Sequence, residues 1–160
     1  MLKKVACRWF LLSFVIIVCD QWSKYLIVQN FGFNQIKVVF SFLNITLRYN
    51  AGAAFSFLNA GGWQYLILIG VPVIVSMILC IWLYRVSASE KLLSTGLSLI
   101  LGGAVGNLID RIRFGYVTDF IDFHIRGWHF ATFNVADAAV TIGAALLIYQ
   151  FFISSKKSDI

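Results

Sequence analysis

The chain alternates between long apolar runs and shorter stretches in which polar residues mix with strand formers. Four runs, approximately residues 8–28, 63–84, 92–109 and 136–153, are long enough to cross a hydrocarbon core of about 30 Å as helices. They predict four transmembrane helices in a single domain covering residues 1–160. Pro72 falls inside the second run and predicts a kink, which neighbouring helices tolerate in a membrane. The two long connections are not plain polar loops. Residues 35–49, with approximate alternation in Ile45-Thr46-Leu47-Arg48-Tyr49, and residues 117–133 are rich in Val, Phe, Ile and Thr, so both predict strands. The expected architecture is an α-helical membrane protein. It has four transmembrane helices, a small extracytoplasmic β-sheet resting on the helix ends, and a short interfacial helix over the small, apolar residues 51–58.

Composition supports the membrane reading: 60% of residues are hydrophobic and 12% charged, whereas a soluble domain carries about 25% charged residues. The net charge of +6 does not point to nucleic acid, because the basic residues are scattered at segment ends, where they suit anionic lipid headgroups. Seven of the thirteen Lys and Arg lie in the N-terminus, the short second connection and the C-terminus (Lys3, Lys4, Arg8, Arg85, Lys91, Lys156 and Lys157). The positive-inside rule therefore places both termini in the cytoplasm and the two long connections outside. Trp63, Trp82, Tyr84 and Tyr149 suit the interfacial belts. Lys3, Lys4 and Arg8 precede an apolar stretch that ends at Cys19 like a cleavable signal, but Val18 stands where a small residue is needed and the segment continues to Val28, so a retained helix is expected. Cys7, Cys19 and Cys80 have no metal spacing and read as buried free thiols. His124 and His129, five apart and with no Cys partner, make a weak case for zinc.

Only seven residues are acidic, and Asp20, Asp110, Asp119, Asp122 and Asp137 all sit inside or beside the ends of apolar segments. A carboxylate near hydrocarbon is costly unless paired, solvated or used. Counting a rise of about 1.5 Å per residue from the inner ends puts Asp20 roughly 18 Å, Lys24 and Asn107 roughly 24 Å and Asp137 roughly 25 Å up. The polar groups thus gather in the outer part of the bilayer, and the inner half has no acid. An ion translocator needs polar groups near the midplane with access to both sides. A surface enzyme, or a non-enzymatic protein that binds lipid or peptide, needs only one polar layer.

Asp20 and Lys24 share a helix face in the favourable order for an ion pair, although Lys24 is equally placed to hold an anionic or carbonyl group. Asp110-Arg111 closes the third helix as an interfacial charge pair, or Arg111 faces the site. Asn50 and Asn134 suit a peptide backbone, whereas Asn44 and Asn59 read as loop residues. Gly102 and Gly106 form a G-x-x-x-G step, and Ala139 and Gly143 a similar one, so both helices can be approached closely. Asp119 and Asp137 are the best catalytic pair, with Asp137 favoured at a helix start. Asp122 rivals Asp119; three residues apart on a strand face opposite sides, so only one points at the site, and the spacing does not say which. No G-x-S-x-G, H-E-x-x-H or P-loop is present. Hydrolysis by an acid pair is what remains.

Taken in order, five motifs resemble the lipoprotein signal peptidases, the bacterial membrane aspartic proteases of the signal peptidase II family. They are Asp20-Gln21-Trp22-Ser23-Lys24, Asn50-Ala51-Gly52-Ala53-Ala54-Phe55, Gly103-Ala104-Val105-Gly106-Asn107-Leu108-Ile109-Asp110-Arg111, Val117-Thr118-Asp119-Phe120 and Phe133-Asn134-Val135-Ala136-Asp137. The resemblance implies that Asp119, not Asp122, pairs with Asp137. It implies that Asp20, Lys24, Asn50, Gly52, Asn107, Asp110, Arg111, Asn134 and Ala136 bind substrate or support the site. The implied substrate is a diacylglyceryl-prolipoprotein, cut just before its lipidated cysteine at the outer surface of the bacterial cytoplasmic (inner) membrane. Globomycin is the implied inhibitor, membrane lipids are partners, and no metal or organic cofactor is expected.

Overall fold

A computed structural model describes residues 2–52, 66–87 and 89–158. Helix α1 runs over Leu2–Asn30; strands β1 (Ile36–Phe40) and β2 (Leu43–Asn50) follow. A π-helical turn at Leu66–Gly70 leads into α2, Val71–Arg85. Helix α3 (Lys91–Phe114) precedes β3 (Val117–Ile125) and β4 (Trp128–His129), and α4 covers Val135–Ser158. Four of these helical stretches, Cys7–Asn30, Leu66–Arg85, Lys91–Phe114 and Val135–Ile153, are long and apolar enough to cross a membrane. The expected interfacial helix lies, from residue 53 on, outside the described residues, as do Trp63 and Asn59.

Each span satisfies its own backbone, as hydrocarbon demands. Pro72 sits in the first turn of α2, directly after the π-helical turn, so its missing N–H falls where the ladder passes from π to α bonding. The expected kink inside one continuous α-helix is therefore a change of helix type at its start. Helix α3 is the central element: half of its apolar window is buried, against 17% in each of the other three. Its glycines make this possible, because lipid tails supply no hydrophobic drive and close van der Waals contact must hold the helices together. A Cβ on Gly102 would stand 2.8 Å from the Ser13 carbonyl of α1, and one on Gly143 of α4 would stand 2.7 Å from the Gly96 carbonyl. Towards the end where α2 finishes and α3 begins, Leu79, Leu83, Leu97 and Leu101 form an apolar core.

At the opposite end lies one antiparallel sheet in the order β1-β2-β3-β4. Gly115, in the left-handed region at φ 79°, ends α3 with its N–H on the Arg111 carbonyl and turns the chain into β3. Strand β3 packs on α1 and α3, with Val117, Thr118, Asp119 and Phe120 buried. A two-residue turn, Arg126-Gly127, both with positive φ, joins β3 to β4. The thiols depart from expectation: Cys7 and Cys19 are exposed on α1 and only Cys80 is half-buried. An outward position in a membrane span is still apolar, so a thiol gains little by facing the protein.

Candidate functional site

Helix α1 carries Asp20 and Lys24 one turn apart to the flank of α3. Gly106 lets them in: a Cβ there would lie 2.7 Å from Asp20 Oδ2. Lys24 Nζ meets Asp20 Oδ2 at 2.8 Å, Asp110 Oδ2 at 2.9 Å and Asn107 Oδ1 at 3.0 Å. An ammonium has three N–H donors, and all three are used. The remaining carboxylate oxygens are also held. Ala136 N–H donates to Asp20 Oδ1 at 2.9 Å, and Gln21 Nε2 donates to Asp110 Oδ1 at 2.8 Å. Thr118 N–H donates to Asp110 Oδ2 at 3.2 Å. This cluster ties α1, α3, β3 and the start of α4 together with Asp20 fully buried.

Asn107 connects that cluster to the expected acid pair. Its Nδ2 donates to Asp137 Oδ1 at 2.8 Å. Asp137 stands in the first turn of α4, where Asn134 caps the helix reciprocally. Asp137 N–H donates to Asn134 Oδ1 at 2.9 Å, and Asn134 N–H donates to Asp137 Oδ2 at 3.2 Å. The same Asn134 reaches across to β3, its Nδ2 donating to Asp119 Oδ1 at 2.8 Å. Asn50 Nδ2 donates to Asp119 Oδ2 at 3.1 Å, while Asn50 Oδ1 accepts Gly52 N–H at 2.9 Å. Gly52 has φ 79°, a conformation that glycine adopts without strain. One asparagine therefore holds both acids, and four amide or backbone donors aim at their oxygens.

Burial pushes the Asp119 carboxyl up to about 6, and the Asp137 charge adds to this; hydrogen bonds from Asn50 and Asn134 and the Lys24 charge only partly oppose it. Arg111, half-buried, lies within electrostatic reach of Asp137, Asp119 and Asp110. Two cavities open onto the pair. One, of about 510 Å³, is lined by Asp119, Asp122, Arg48 and His129; the other, of about 500 Å³, is lined by Asp137, Phe123, Phe133 and Ile142.

All eleven expected site residues fall in or beside this one network, but several do so differently from expectation. Asn50 and Asn134 spend their amide donors on Asp119 rather than presenting them to a peptide. Asp110 pairs with Lys24, not with its neighbour Arg111, because the buried ammonium is closer. Asp119 and Asp122 both line the larger cavity, although strict alternation puts them on opposite faces. Between the two acids β3 itself bulges, since Phe120 N–H and Ile121 N–H both donate to the Phe133 carbonyl, at 3.0 and 2.8 Å, and such a bulge re-aims a strand. Asp122 belongs to a separate cluster: it accepts from Asn44 Nδ2 at 2.9 Å and meets His129 Nδ1 at 2.8 Å. Burial alone would raise its pKa, but those two hydrogen bonds, with the His129 and His124 charges, hold it below the ordinary value.

Four residues escaped the sequence reading. Asn44 is buried rather than a loop residue. Arg48 and His129 line a cavity, and Gln21 braces Asp20 and Asp110. Gln21 lies three positions before Lys24, a spacing that puts the two on one helix face. The spacing Asn134-x-x-Asp137 is itself a capping-box signal that marks Asn134.

Fold and site define a multi-pass membrane protein with two amide-held aspartates at one end of its helix bundle. The family model for Signal peptidase (SPase) II matches residues 12–153. A lipoprotein signal peptidase of Coxiella burnetii (strain Dugway 5J108-111) is 52% identical over 157 residues, 97% of this chain and 96% of that one. The Escherichia coli O1:K1 / APEC lipoprotein signal peptidase is 47% identical over 150 residues, 93% and 92% of the two chains. A bacterial membrane enzyme solved by the in meso method at 1.9 Å resolution superposes with a TM-score of 0.80 at 32% identity, over 90% of this chain and 92% of that one. The chain belongs to the signal peptidase II family of membrane proteases.

Proposed function

We propose that this chain removes the signal peptide from diacylglyceryl-modified prolipoproteins, cutting just before the lipidated cysteine, with Asp119 and Asp137 as the catalytic pair. The single observation that carries the pairing is Asn134, which binds Asp119 with its side-chain amide and Asp137 with its backbone N–H and side-chain carbonyl. Two carboxyls bridged by one asparagine and within electrostatic reach of each other share one proton more readily than both ionise. Asp119, raised to about 6, is the member that keeps the proton and donates it towards the scissile carbonyl. Asp137, at a helix start and receiving the Asn107 amide, takes the proton from the attacking water. The tetrahedral diol then collapses as the leaving amine is protonated. Because the pair titrates as a unit, the assignment concerns the dominant microstate.

The reaction belongs at the outer surface of the bacterial cytoplasmic membrane, with both termini inside. The asymmetry of basic residues supports that orientation, and so does the gathering of the acids at the end of the bundle that carries the sheet. Acyl chains embedded in the outer leaflet would bring the cleavage site to the depth of the pair and make attack effectively intramolecular. Globomycin competes for the same site in this reading. The test is to incubate purified protein in lipid with a diacylated prolipoprotein and follow release of the signal peptide. Asp119→Asn and Asp137→Asn each abolish cleavage while the fold persists; retained cleavage in either overturns the pairing. Equal cleavage of an unlipidated precursor overturns the lipid requirement.

A further inference from the structure

The two cavities beside the acids differ in kind. The one on the Asp137 side is walled by Phe123, Phe133, Ala138 and Ile142. The one on the Asp119 side holds Arg48, Asn50, Asp122 and His129. Phe130 and Ala131 line both and form the wall between them. A peptide whose scissile bond lies between Asp119 and Asp137 passes from an apolar chamber into a charged one. A prolipoprotein changes character in the same direction, one residue past its cleavage point: the signal segment and the acyl chains on the cysteine are apolar, and the mature residues after that cysteine are polar.

We infer that the Arg48–Asp122–His129 cavity receives the first residues of the mature segment, those just after the cysteine, and that Arg48 makes it favour an acidic side chain there. The inference rests on the peptidase reading above. Arg48 is the available charge. It stands directly opposite Asp119 in the antiparallel register, so both project from the same face of the sheet. The Asp119 oxygens are taken by Asn50 and Asn134, and the Asp122 oxygens by Asn44 and His129. Arg48 is exposed and, among the described residues, has no ion pair. A guanidinium on the rim of a half-open cavity attracts a carboxylate and repels an ammonium.

Three diacylated prolipoprotein peptides, identical except for Asp, Asn or Lys directly after the cysteine, test this. The quantity read is the kcat/KM ratio of the Asp peptide to the Lys peptide within one enzyme, so the fraction of active protein cancels. For the unchanged chain the ratio is about fivefold in favour of Asp, the scale of a partly exposed ion pair, and it shrinks in high salt. Arg48→Glu inverts it, and Arg48→Gln brings it close to one. Equal ratios in all three enzymes overturn the subsite. If the unchanged chain fails to cleave the Asn peptide, or Asp137→Asn still cleaves it, the peptidase reading falls instead.

Discussion

Two groups of acids lie side by side in this bundle, and their partners differ in charge. Asp20 and Asp110 share one full cation, Lys24, at 2.8 and 2.9 Å. Asp119 and Asp137 are held by the amides of Asn50, Asn107 and Asn134. A cation inside low dielectric neutralises a carboxylate and removes its tendency to exchange a proton. An amide orients a carboxylate but leaves its charge and basicity to be used. The first group also has every donor and most acceptors filled, and it opens onto neither of the two cavities that meet the second group. The chemistry of the donor, more than depth or burial, separates the acids that hold the fold from the proposed catalytic pair.

The sharpest way to break this contrast is to neutralise one acid in each group. Asp137→Asn lowers the rate of signal-peptide release by about 10⁴-fold, with a cooperative unfolding transition still present in lipid or detergent. Asp20→Asn moves in the other direction: unfolding shifts down, and whatever folded protein remains cleaves. Loss of rate from Asp20→Asn at full stability would erase the distinction between the groups.

Removing the cation is the next largest effect. Lys24→Met leaves Asp20 and Asp110 buried with no positive partner, and breaking a buried pair this way costs about 3–5 kcal/mol. Thermal unfolding of the purified protein reads this directly. The triple change Asp20→Asn, Lys24→Met, Asp110→Asn recovers most of the loss, because no charge is then stranded. If Lys24→Met alone is neutral, the cluster is not what ties α1 to α3.

Asn107 belongs to both groups, accepting from Lys24 at 3.0 Å and donating to Asp137 at 2.8 Å. Asn107→Ala therefore frees one oxygen of Asp137 without removing any charge. The expected result is a loss of about 10²-fold in kcat with little change in KM, the pattern of a group that aims the base rather than binds substrate. Asn107→Asp fares worse, since it places a third carboxylate beside Asp137.

How much of the molecule was legible in its sequence follows the range of each signal. The spans were readable because a helix of about twenty apolar residues matches the thickness of hydrocarbon and is too apolar to face water. The single polar layer was readable because helical rise converts sequence distance into depth; Lys24 and Asn107, both counted to roughly 24 Å, are bonded to each other. Which acid meets which partner was not. Asp110 prefers Lys24 over adjacent Arg111 only once α1 and α3 are packed through Gly106. Asp122 enters the cavity beside Asp119 through a bulge that only the folded chain shows, where Phe120 and Ile121 share the Phe133 carbonyl. The choice of Asp119 over Asp122 came from the family pattern, and the hydrogen bonds now supply a physical counterpart: Asn134 binds Asp119, whereas Asp122 is held by Asn44 and His129.

The smallest expected effect tests the same contrast through pH. Asp119 is almost wholly buried, at 2% exposure, and its carboxyl is raised from 3.8 to about 6 in the folded protein. A raised value means the folded state holds the proton more tightly than the unfolded state. The stability this gives is therefore complete below about pH 4 and is lost as pH rises through about 6. Asp119→Asn cannot titrate, so its stability relative to the unchanged chain increases across that window, by on the order of 2 kcal/mol. The substitution also loses one acceptor for Asn50 or Asn134, but that loss is the same at every pH and does not change the slope. Unfolding temperatures of both proteins at pH 4 and pH 8 give the difference, with every titrating group outside the coupled pair common to the two. A difference that stays flat from pH 4 to 8 would mean that Asp119 ionises as readily when folded as when unfolded, and that its amide partners settle the buried charge.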